Sequence, residues 1–487
     1  MKLKKLIEKL DIEYILGNID LEIAHISYDS RLLKKDSLFI AIDGFETDGH
    51  KYIEEAVSNG AKVIIIENEL NYYREDITYI KVASSRKAMA YISAAFYNYP
   101  QKDLKLIGVT GTNGKTTTTH LIKSILENAG YKAGLIGTIG NYINNEEFNT
   151  SRTTPNSLEL NKLFYEMKKQ DIEYVVMEVS SHAIDLKRIF NLKFEIAVFT
   201  NISQDHLDYH KTFKNYLEVK SRLFKKVKSN GFSIVNIDDK AADKIINNSN
   251  SKVIKYSINQ KSDFRAKNIK LNTDGASFLL NNYKKRVRLN ITGKFNIYNA
   301  LAAIAVASKL NIDYNIIRKS FEKMDSIPGR FEVVKGNQDF TLIVDYAHTP
   351  DGMDNVLKTI KSLAQNKIII VFGCGGNRDK DKRPKMGSIA LEYGDSIFIT
   401  TDNPRNEDPK SIIEDIKKGL KNNKSNYEVV LDRKKAINKA VEIAEKNDII
   451  VIFGKGHETY QVFADETIHF DDREVAKEAI RSKKERM

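Results

Sequence analysis

The sequence is poor in cysteine, tryptophan and long apolar runs, and each shortage excludes something. Cys374 is the single cysteine among 487 residues, so no disulfide can form within the chain, as suits a reducing cytoplasm. No apolar stretch approaches the roughly 18 residues that a membrane span requires. The N-terminal MKLKKLIEKL has too short an apolar run for a signal peptide and predicts an amphipathic helix. We therefore expect a cytoplasmic protein without membrane insertion.

The chain has a basic surplus. Its formal net charge is +12, from 77 Lys and Arg against 65 Asp and Glu. Such a surplus could bind nucleic acid or polyanionic small molecules. The lysines are spread along the chain rather than clustered, which favours small molecules and predicts no nucleic-acid partner. The Lys-rich composition without tryptophan indicates a genomic bias more than a function.

The length predicts two to four domains, because one hydrophobic core does not grow to this size. Short runs rich in Val and Ile alternate with helical patterns, which is typical of βαβ units and parallel sheets. We predict an α/β protein of three domains. These are residues 1–98, closed by a helix at KAMAYISAAF; residues 99–330, with a mostly parallel sheet; and residues 331–487, with a Rossmann-like sheet.

Polar residues follow the apolar runs in a regular way. LKLIGV leads into TGTNGKTT, YVVMEV into SSH, IAVFTN into ISQDHLDYH, TLIVDY into AHTPDG, IIIVFG into CGGNRDKDKRP, SIFITT into DNPRNEDP and DIIVIFG into KGHE. Ligands of doubly wound sheets bind at the carboxyl ends of strands. The sequence therefore predicts a site in a cleft between the second and third domains.

The stretch VTGTNGKTT, residues 109–117, predicts a phosphate-binding loop between a strand and a helix. Its glycines let backbone N–H groups approach phosphate, Lys115 would contact the β- and γ-phosphates, and Thr116 would offer a hydroxyl to Mg²⁺. Val109 stands where the usual spacing has a glycine. The plainer alternative is a tight turn that starts an ordinary helix.

Acidic and histidine side chains suggest metal binding beside this loop. Glu178 ends an apolar strand and could hold Mg²⁺, or could be a surface carboxylate. Asp205, His206, Asp208 and His210 lie within six positions; their spacing fits no standard zinc site, so a second metal near ATP or plain loop polarity remains. Lys220 follows on a helix, where the residues alone favour a surface lysine.

The last third of the chain predicts a pocket for a charged substrate with a carboxylate. NRDKDKRP brings Arg378, Lys380, Lys382 and Arg383 after a glycine-rich strand end. DNPR adds Arg405, and GKGHE adds Lys455, His457 and Glu458. Arginine forks bind carboxylates and phosphates in a bidentate way. Cys374, in GCGG, is better explained as a tight packing position than as a nucleophile.

In this order the motifs resemble those of the Mur ligase family, over essentially the whole chain. They are TGTNGKTT, TTP at 153–155, EVSSH, TNISQDHLDYH, GKFNIYNALAA, PGRFE, DYAHTP, GNRDKDKRP, DNPR and GKGHE, with YDSR and DGHKYIEEAVSNGA in the first domain. The resemblance implies a UDP-sugar-binding first domain, an ATP-binding second domain and an amino-acid-binding third domain. It also implies an ATP-dependent amide ligase of cytoplasmic peptidoglycan precursor synthesis, which acts through an acyl phosphate. We expect a monomer, because no exposed interface can be read from the sequence.

The resemblance further implies roles for single residues. Lys220 would be carbamylated and, with Thr116, Glu178 and His206, would hold two Mg²⁺ ions; Lys115, Arg330 and Asp345 would complete the catalytic set. ATP would contact Gly111, Thr112, Asn113, Gly114, Lys115, Thr116, Thr117, Asn299, Arg330 and Asp345. UDP-N-acetylmuramoyl-dipeptide would contact Tyr28, Ser30, Thr153, Thr154, Ser180 and Arg188. Leu186 stands where the family often has glutamine, which puts one substrate hydrogen bond in doubt.

The identity of the added amino acid can be inferred from the charges of the pocket residues. Arg405 offers a bidentate partner to the distal carboxylate of meso-diaminopimelate, and an arginine facing the ammonium of lysine would be unfavourable. The expected contacts are Arg378, Asp402, Asn403, Pro404, Arg405, Gly454 and Glu458. L-Lysine or lanthionine is the alternative within the family, and a folylpolyglutamate-synthetase-like ligase is the nearest rival. A GTPase is disfavoured because no NKxD motif follows the loop, and a plain ATPase or a binding module remains a more distant possibility.

Overall fold

The computed structural model describes residues 1–44, 47–144, 146–148, 152–281, 283, 285–324, 326–420 and 426–486. Within these residues the strands form three large sheets and one small hairpin sheet. Short 3-10 turns lie at Ser30–Leu32, Gly49–Tyr52, Pro100–Lys102 and Phe224–Lys226. No helix in the described ranges combines the length and the apolarity needed to cross a bilayer.

The first sheet lies near the N-terminus and has the order β1-β5-β4-β3-β2. Only the pair β1/β5 is antiparallel among its described pairings. The predicted N-terminal helix is confirmed as α1, which buries Leu3, Leu6 and Ile7. The elements are α1 Leu3–Ile7, β1 Ile12–Leu16, β2 His25–Ser27, β3 Ser37–Ile40, α2 Ile53–Ser58, β4 Ala61–Ile66, β5 Thr78–Val82 and α3 Ser85–Phe96.

The second sheet follows, and its central strands are parallel in the order β14-β13-β12-β11-β6-β10-β7. Antiparallel strands extend both edges. Its strands are β6 Lys105–Thr110, β7 Ala133–Ile136, β8 Asn141–Ile143, β9 Glu146–Phe148, β10 Tyr174–Glu178, β11 Phe194–Phe199, β12 Val227–Asn236, β13 Lys252–Ser257, β14 Phe264–Asn272, β15 Gly275–Leu280 and β16 Arg286–Leu289. Its helices are α4 Lys115–Asn128, α5 Ser157–Lys169, α6 Ser181–Asp185, α7 Leu207–His210, α8 Phe213–Ser221, α9 Ala242–Asn247, α10 Lys294–Lys309 and α11 Tyr314–Lys323.

Helices cover both faces of the second sheet because its central strands are apolar throughout. In β6, Ile107 and Val109 pack into the core shared with α4 and α10, whereas Leu106 packs into the core on the other face. Such continuous apolar runs are typical of parallel strands buried on both sides. The predicted fold class is confirmed here.

The third sheet has the order β17-β18-β22-β19-β20-β21 and is parallel except at β17. Its elements are β17 Glu332–Val333, β18 Thr341–Asp345, α12 Pro350–Leu363, β19 Ile368–Phe372, α13 Lys382–Tyr393, β20 Ser396–Ile399, α14 Pro409–Lys417, β21 Tyr427–Val429, α15 Arg433–Ile443 and β22 Ile449–Phe453. The hairpin strands β23 Tyr460–Val462 and β24 Thr467–His469 and the helix α16 Asp472–Arg486 complete the chain. As the sequence predicts, the polar loops follow the carboxyl ends of parallel strands in both larger sheets.

Candidate active site

A cleft of about 540 Å³ lies where the second sheet faces the third. From the second sheet it is lined by the loop before α4 and by the loops after β10 and β11, and from the third sheet by the loop between β18 and α12. The predicted site residues that line it are Thr112, Asn113, Gly114, Lys115, Thr116, Thr117, Thr153, Glu178, Ser180, His206, Asn299, Arg330 and Asp345. The structure thus brings together side chains separated by more than 200 positions along the chain.

The phosphate loop is closed by its own lysine. The Lys115 ammonium donates to the carbonyl oxygens of Gly111, at 2.9 Å, and Thr112, at 2.8 Å. Burial lowers the pKa of Lys115, and the carboxylates of Glu178 and Asp205 oppose that shift. A cation held in this way can move to a phosphate group, because its present partners are neutral carbonyls.

The glycine at position 114 is required by both backbone and space. Gly114 has a φ of +83°, in the left-handed region that favours glycine, and a Cβ there would lie 2.4 Å from the Asn299 side-chain oxygen. Helix α4 begins at the next residue, so its first N–H groups face the cleft. The loop therefore offers a helix N-terminus to an anion.

Lys220 reaches the same carbonyl as Lys115. Its ammonium donates to Gly111 at 2.9 Å, and its side chain is 1% exposed. The interpretation of Lys220 as a surface lysine is wrong, because α8 packs this residue against the loop instead of solvent. Burial lowers the pKa of Lys220 well below its usual value, and the neighbouring Lys115 lowers it further. A neutral, nucleophilic amine is consequently favoured at this position.

Glu178 lies buried at the end of β10, with both carboxylate oxygens held by one residue. Thr138 donates its backbone N–H to Oε1 at 2.8 Å and its hydroxyl to Oε2 at 3.0 Å. A carboxylate has about four lone-pair sites. Each oxygen therefore keeps acceptor capacity for a cation in the cleft, which fits a Mg²⁺ ligand.

The loop after β11 turns at His206, whose backbone is left-handed with a φ of +54°. His206 Nε2 lies 3.4 Å from an oxygen of Asp205. Burial lowers the pKa of His206 to about 3, so the ring is neutral and can act as a ligand. His210 instead contacts Ser181 at 2.9 Å, away from the cleft.

The described residues contain no group of three or more His, Cys, Asp or Glu that could hold a metal by themselves. The absence of such a group does not exclude Mg²⁺, because magnesium in nucleotide sites is bound by one or two protein groups plus phosphates and water. Glu178, His206 and the Thr116 hydroxyl all face the cleft and fit that role.

Arg330 reaches into the cleft from the junction of the second and third domains. One of its nitrogens donates to the Thr116 hydroxyl at 3.0 Å, and its guanidinium lies 4.4 Å from the centre of the Tyr346 ring. Its Nε is buried without a hydrogen-bond partner in the described part of the chain. Asp345 accepts from the backbone N–H groups of Phe331 and Ala347, both at 2.7 Å, and so fixes this junction. Burial raises the pKa of Asp345, while Arg330 opposes the shift.

The predicted contacts of the UDP substrate fall into two places. Thr153 and Ser180 line the cleft. Thr154 and Arg188 lie behind them, where Thr154 donates to the Glu178 carbonyl at 2.9 Å and Arg188 donates to the Thr154 carbonyl at 2.7 Å. Tyr28 donates to Glu159 and Ser30 to Glu55, both at 2.6 Å, in or beside the first domain. Leu186 follows the short helix α6 as its C-cap, two residues before Arg188.

The predicted amino-acid contacts form a separate cluster at the carboxyl ends of β20 and β22. Asn403 donates to Glu458 at 2.8 Å, and Arg405 donates to the Gly376 carbonyl at 2.9 Å. Burial and the nearby Asp402 raise the pKa of Glu458. Arg378 was also predicted to contact the amino acid. It is exposed, and among the described contacts it donates only to the neighbouring Asn377 carbonyl.

Three family models match the chain. They describe a Mur ligase family catalytic domain over residues 22–97, a Mur ligase middle domain over residues 109–307 and a Mur ligase glutamate ligase domain over residues 329–456. A relative from Clostridium tetani, UDP-N-acetylmuramoyl-L-alanyl-D-glutamate--2,6-diaminopimelate ligase, is 49% identical over 488 residues, with 99% of each chain covered. The chain belongs to the Mur ligase family.

Solved structures agree with this assignment. A structure of UDP-N-acetylmuramoyl-L-alanyl-D-glutamate--2,6-diaminopimelate ligase is 32% identical, has a TM-score of 0.68 and covers 99% of both chains. A folylpolyglutamate synthase from Mycobacterium tuberculosis, complexed with ADP and AMPPCP, has a TM-score of 0.64 at 16% identity and covers 76% of this chain and 92% of that one. The second likeness shows the fold alone.

One member of the predicted charged pocket of this Mur ligase was assigned wrongly. The Arg383 side chain is fully buried and donates to Asp415 at 3.0 Å and Glu407 at 2.9 Å. It joins α13 to the chain around α14 and has no access to a substrate. Cys374 is confirmed as a packing position: it is buried beside Met386, and burial raises the pKa of its thiol to about 12.

The sequence did not reveal the residues that hold Glu178 and the phosphate loop in place. Thr138 holds Glu178, and Asn201 holds Asn113, whose backbone N–H donates to the Asn201 side chain at 3.0 Å. Asp351 accepts from Asn113 at 3.0 Å and from Ser203 at 3.1 Å, and so links α12 to the phosphate loop. No local pattern indicates these partners, although Asp351 lies in the DYAHTPDG loop that the strand-end pattern had selected.

The buried His120 predicts acid sensitivity of this Mur ligase. Burial lowers its pKa to about 4, and its Nε2 has no hydrogen-bond partner among the described residues. Between pH 6.5 and pH 4 the unfolded chain binds a proton that the folded chain does not, so the free energy of unfolding decreases as the pH is lowered through this window. Allowing for partial exposure of the ring, we expect His120 to contribute about 2 kcal/mol of the loss.

Urea unfolding of the wild type and of His120→Gln at about pH 7 and about pH 4.5 measures this contribution. The variant should lose about 2 kcal/mol less on acidification. The matched control is His469→Gln, whose ring is exposed beside Glu474 and should leave the acid loss nearly unchanged. An equal acid loss in the wild type and His120→Gln would contradict the prediction.

Proposed function

We propose that this Mur ligase adds meso-diaminopimelate to UDP-N-acetylmuramoyl-L-alanyl-D-glutamate and converts ATP to ADP and phosphate. The observation that supports it best is the pocket beyond β20 and β22, where Asn403, Arg405 and Glu458 come together. The relative from Clostridium tetani bears the name of this activity, and its likeness extends over the whole chain.

ATP would bind with its phosphates on the loop of residues 111–117. Lys115 would leave the two carbonyls it now contacts and meet the phosphate oxygens, and the unpartnered Nε of Arg330 gives a second cationic donor. Asn299, on α10 beneath Gly114, would lie on the nucleotide side of the cleft. The same fold in a folylpolyglutamate synthase was solved with ADP.

Two Mg²⁺ ions would be held by Thr116, Glu178, His206 and a carbamylated Lys220. When bound, they neutralise charge that develops on the transferring phosphoryl group. The contribution of the chain is to orient the Glu178 carboxylate through Thr138 and to present His206 as a neutral ring.

The reaction would proceed in two steps. The D-glutamate carboxylate of the dipeptide attacks the γ-phosphorus, so that an acyl phosphate forms and ADP leaves. The amine of the incoming amino acid then attacks the acyl carbon, and phosphate leaves as the amide forms. Thr154, Ser180 and Arg188 are joined by hydrogen bonds beside Glu178, where they can orient the dipeptide. Proximity of this kind supplies much of the rate in such transfers.

Charge in the amino-acid pocket favours diaminopimelate over lysine. Arg405 offers a fork to a distal carboxylate, and Glu458, which accepts from the Asn403 amide, offers an acceptor to the distal ammonium. A lysine substrate would place no carboxylate against the half-buried guanidinium, whose pKa burial already lowers. Lanthionine has the same charged ends and would fit the same groups.

We further propose that the enzyme acts in the cytoplasm as a monomer without nucleic acid. Light scattering would check the monomer, and a filter-binding assay would check the absence of nucleic-acid binding.

The decisive assay is ADP release by purified enzyme with ATP, the UDP-linked dipeptide and one amino acid. ADP release from ATP should require both the dipeptide and the amino acid. The kcat/KM for diaminopimelate should be at least 100-fold higher than that for lysine. Arg405→Ala should reduce that ratio to about tenfold or less, because the fork for the distal carboxylate is lost. The control Arg74→Ala removes an arginine from the first domain, paired with Asp76, and should keep the ratio.

Three outcomes would contradict the proposal. Equal or better use of lysine would overturn the choice of amino acid. Release that needs neither the dipeptide nor an amino acid would indicate a plain ATPase. Release with a folate and glutamate would favour the folylpolyglutamate synthetase alternative, which the first domain and DNPR disfavour.

A further inference from the structure

Lys455 lies fully buried at the end of β22, inside the amino-acid pocket, and none of the roles above uses it. Its ammonium donates to the Asn403 side-chain oxygen at 3.2 Å, to Glu458 Oε2 at 3.3 Å and to the Tyr460 carbonyl. A buried ammonium is costly unless it is paired and hydrogen-bonded. All three of its contacts belong to the walls of one pocket, so Lys455 affects how the other polar groups of that pocket are arranged.

The first consequence is the orientation of Asn403. Its Oδ1 accepts from Lys455 and from the Val462 backbone N–H at 3.0 Å, which turns its Nδ2 towards Glu458 Oε2 at 2.8 Å. An asparagine amide can otherwise rotate by half a turn and exchange its donor and acceptor. Lys455, a donor without acceptor capacity, excludes the other orientation.

The second consequence concerns Glu458. Asn403 and Lys455 both bind Oε2, which leaves Oε1 for a ligand within the described contacts. Burial and the like charge of Asp402 raise the pKa of Glu458, and Lys455 opposes both. The other charged or titratable groups facing Glu458 are Arg405, Arg433, Tyr346 and Tyr460.

Arg433 does not take over this task. Its guanidinium is committed to a fully buried bidentate pair with Asp472, at 2.7 Å for both bonds, and to the Phe453 carbonyl. Lys455 is thus the cation in direct contact with Glu458 among the described ion pairs.

We infer that Lys455 is a positioning residue for amino-acid selection: it fixes the Asn403 amide and keeps Glu458 ionised to receive the distal ammonium of the substrate. The inference rests on the proposed function, since it places the amino acid beside Asn403 and Glu458. The described contacts of Lys455 are with Asn403, Glu458 and Tyr460 and include no residue of the phosphate loop. Its loss should consequently affect binding of one substrate and not the chemistry.

Steady-state kinetics of Lys455→Met test this. We expect the KM for diaminopimelate to rise about 10- to 100-fold, while the KM values for ATP and the UDP-linked dipeptide change less than about twofold. The acid limb of kcat/KM for diaminopimelate should move to higher pH by about one unit, because Glu458 protonates more readily without the lysine. A purely structural role would lower kcat or stability without moving this limb.

Two further variants separate charge from packing. Lys455→Arg keeps the positive charge, so its acid limb should stay at the wild-type pH even if the KM rises. Glu458→Gln should abolish the limb, and Lys455→Met should then cause no further pH shift in the double variant. Lys434→Met, which removes an exposed lysine paired with Glu478, is the matched control and should change nothing.

The outcomes are distinct from those of the proposed function. Failure of the wild type to use diaminopimelate would sink the proposed function itself. Normal use by the wild type, with unchanged KM and an unchanged acid limb in Lys455→Met, would overturn the inference about Lys455. If Lys455→Met fails to fold by thermal unfolding, retention of the acid limb in Glu458→Gln would overturn it instead.

Discussion

Replacing Lys115 with methionine is expected to lower kcat about 1,000-fold or more, with the fold intact. Methionine keeps the length of the side chain and removes the charge. In the present arrangement the ammonium is bound by two loop carbonyls, so the loop loses two hydrogen bonds but no buried ion pair. The large effect arises in the reaction, because charge that builds up on the phosphates loses the cation that the phosphate loop supplies.

Lys123→Met provides the control for this change. Lys123 lies on the same helix, two turns later, where it pairs with Glu127 and lines no part of the cleft. The expected result is wild-type kcat with a stability change of a few tenths of a kcal/mol, as for i,i+4 pairs in general. A kcat of Lys115→Met within tenfold of the wild type, measured as ADP release with both substrates saturating, would show that this lysine does not stabilise the transferring phosphoryl group.

Carbamylation of Lys220 is the second prediction with a large effect. The amine would attack the carbon of CO₂, forming an N–C bond and releasing one proton, so a cation position becomes an anion. The structure favours this because two lysine side chains meet at the Gly111 carbonyl, and the depressed pKa of Lys220 provides the neutral amine. The carbamate also places a negative charge beside Lys115, which attracts its ammonium.

Protein equilibrated with ¹³C-bicarbonate should show a carbamate carbon resonance that Lys220→Met lacks. The same variant should lose activity by about 1,000-fold, since a ligand for the phosphate-bound cation is missing. Lys226→Met is a suitable control, because Lys226 is also largely buried with a pKa lowered to about 8, but lies beside Phe190 away from the loop. Full activity of wild-type enzyme that shows no carbamate signal would rule the modification out as a requirement.

Local pattern sufficed for the phosphate loop and the fold class. The alternation of Val- and Ile-rich runs with helical segments sets strands buried on both faces, and Gly114-Lys115-Thr116 after such a strand starts a helix facing the cleft. Those features depend on residues within a few positions of one another. The departure at Val109 did no harm, because Val109 is a core residue of β6 and not part of the loop.

Lys220 and Arg383 show where local pattern failed. The residues around Lys220 favoured a surface lysine, and those around Arg383 favoured a place in a substrate pocket, because charged side chains are rarely fully buried. Lys220 is buried because α8 packs against the phosphate loop, more than 100 positions earlier in the chain, and Arg383 is buried because it meets two carboxylates from another segment. Nothing within one turn of either helix specifies these partners.

The sequence by itself determined the α/β class, the nucleotide loop and the set of polar strand ends, because hydrophobic periodicity and glycine placement act over short distances. Tertiary structure decided which of those ends face each other, which lysines are buried, and how Lys455 orders Asn403 and Glu458. Burial and electrostatic interaction depend on neighbours that are far apart in the chain, and only the packing of the sheets brings them within a few ångströms.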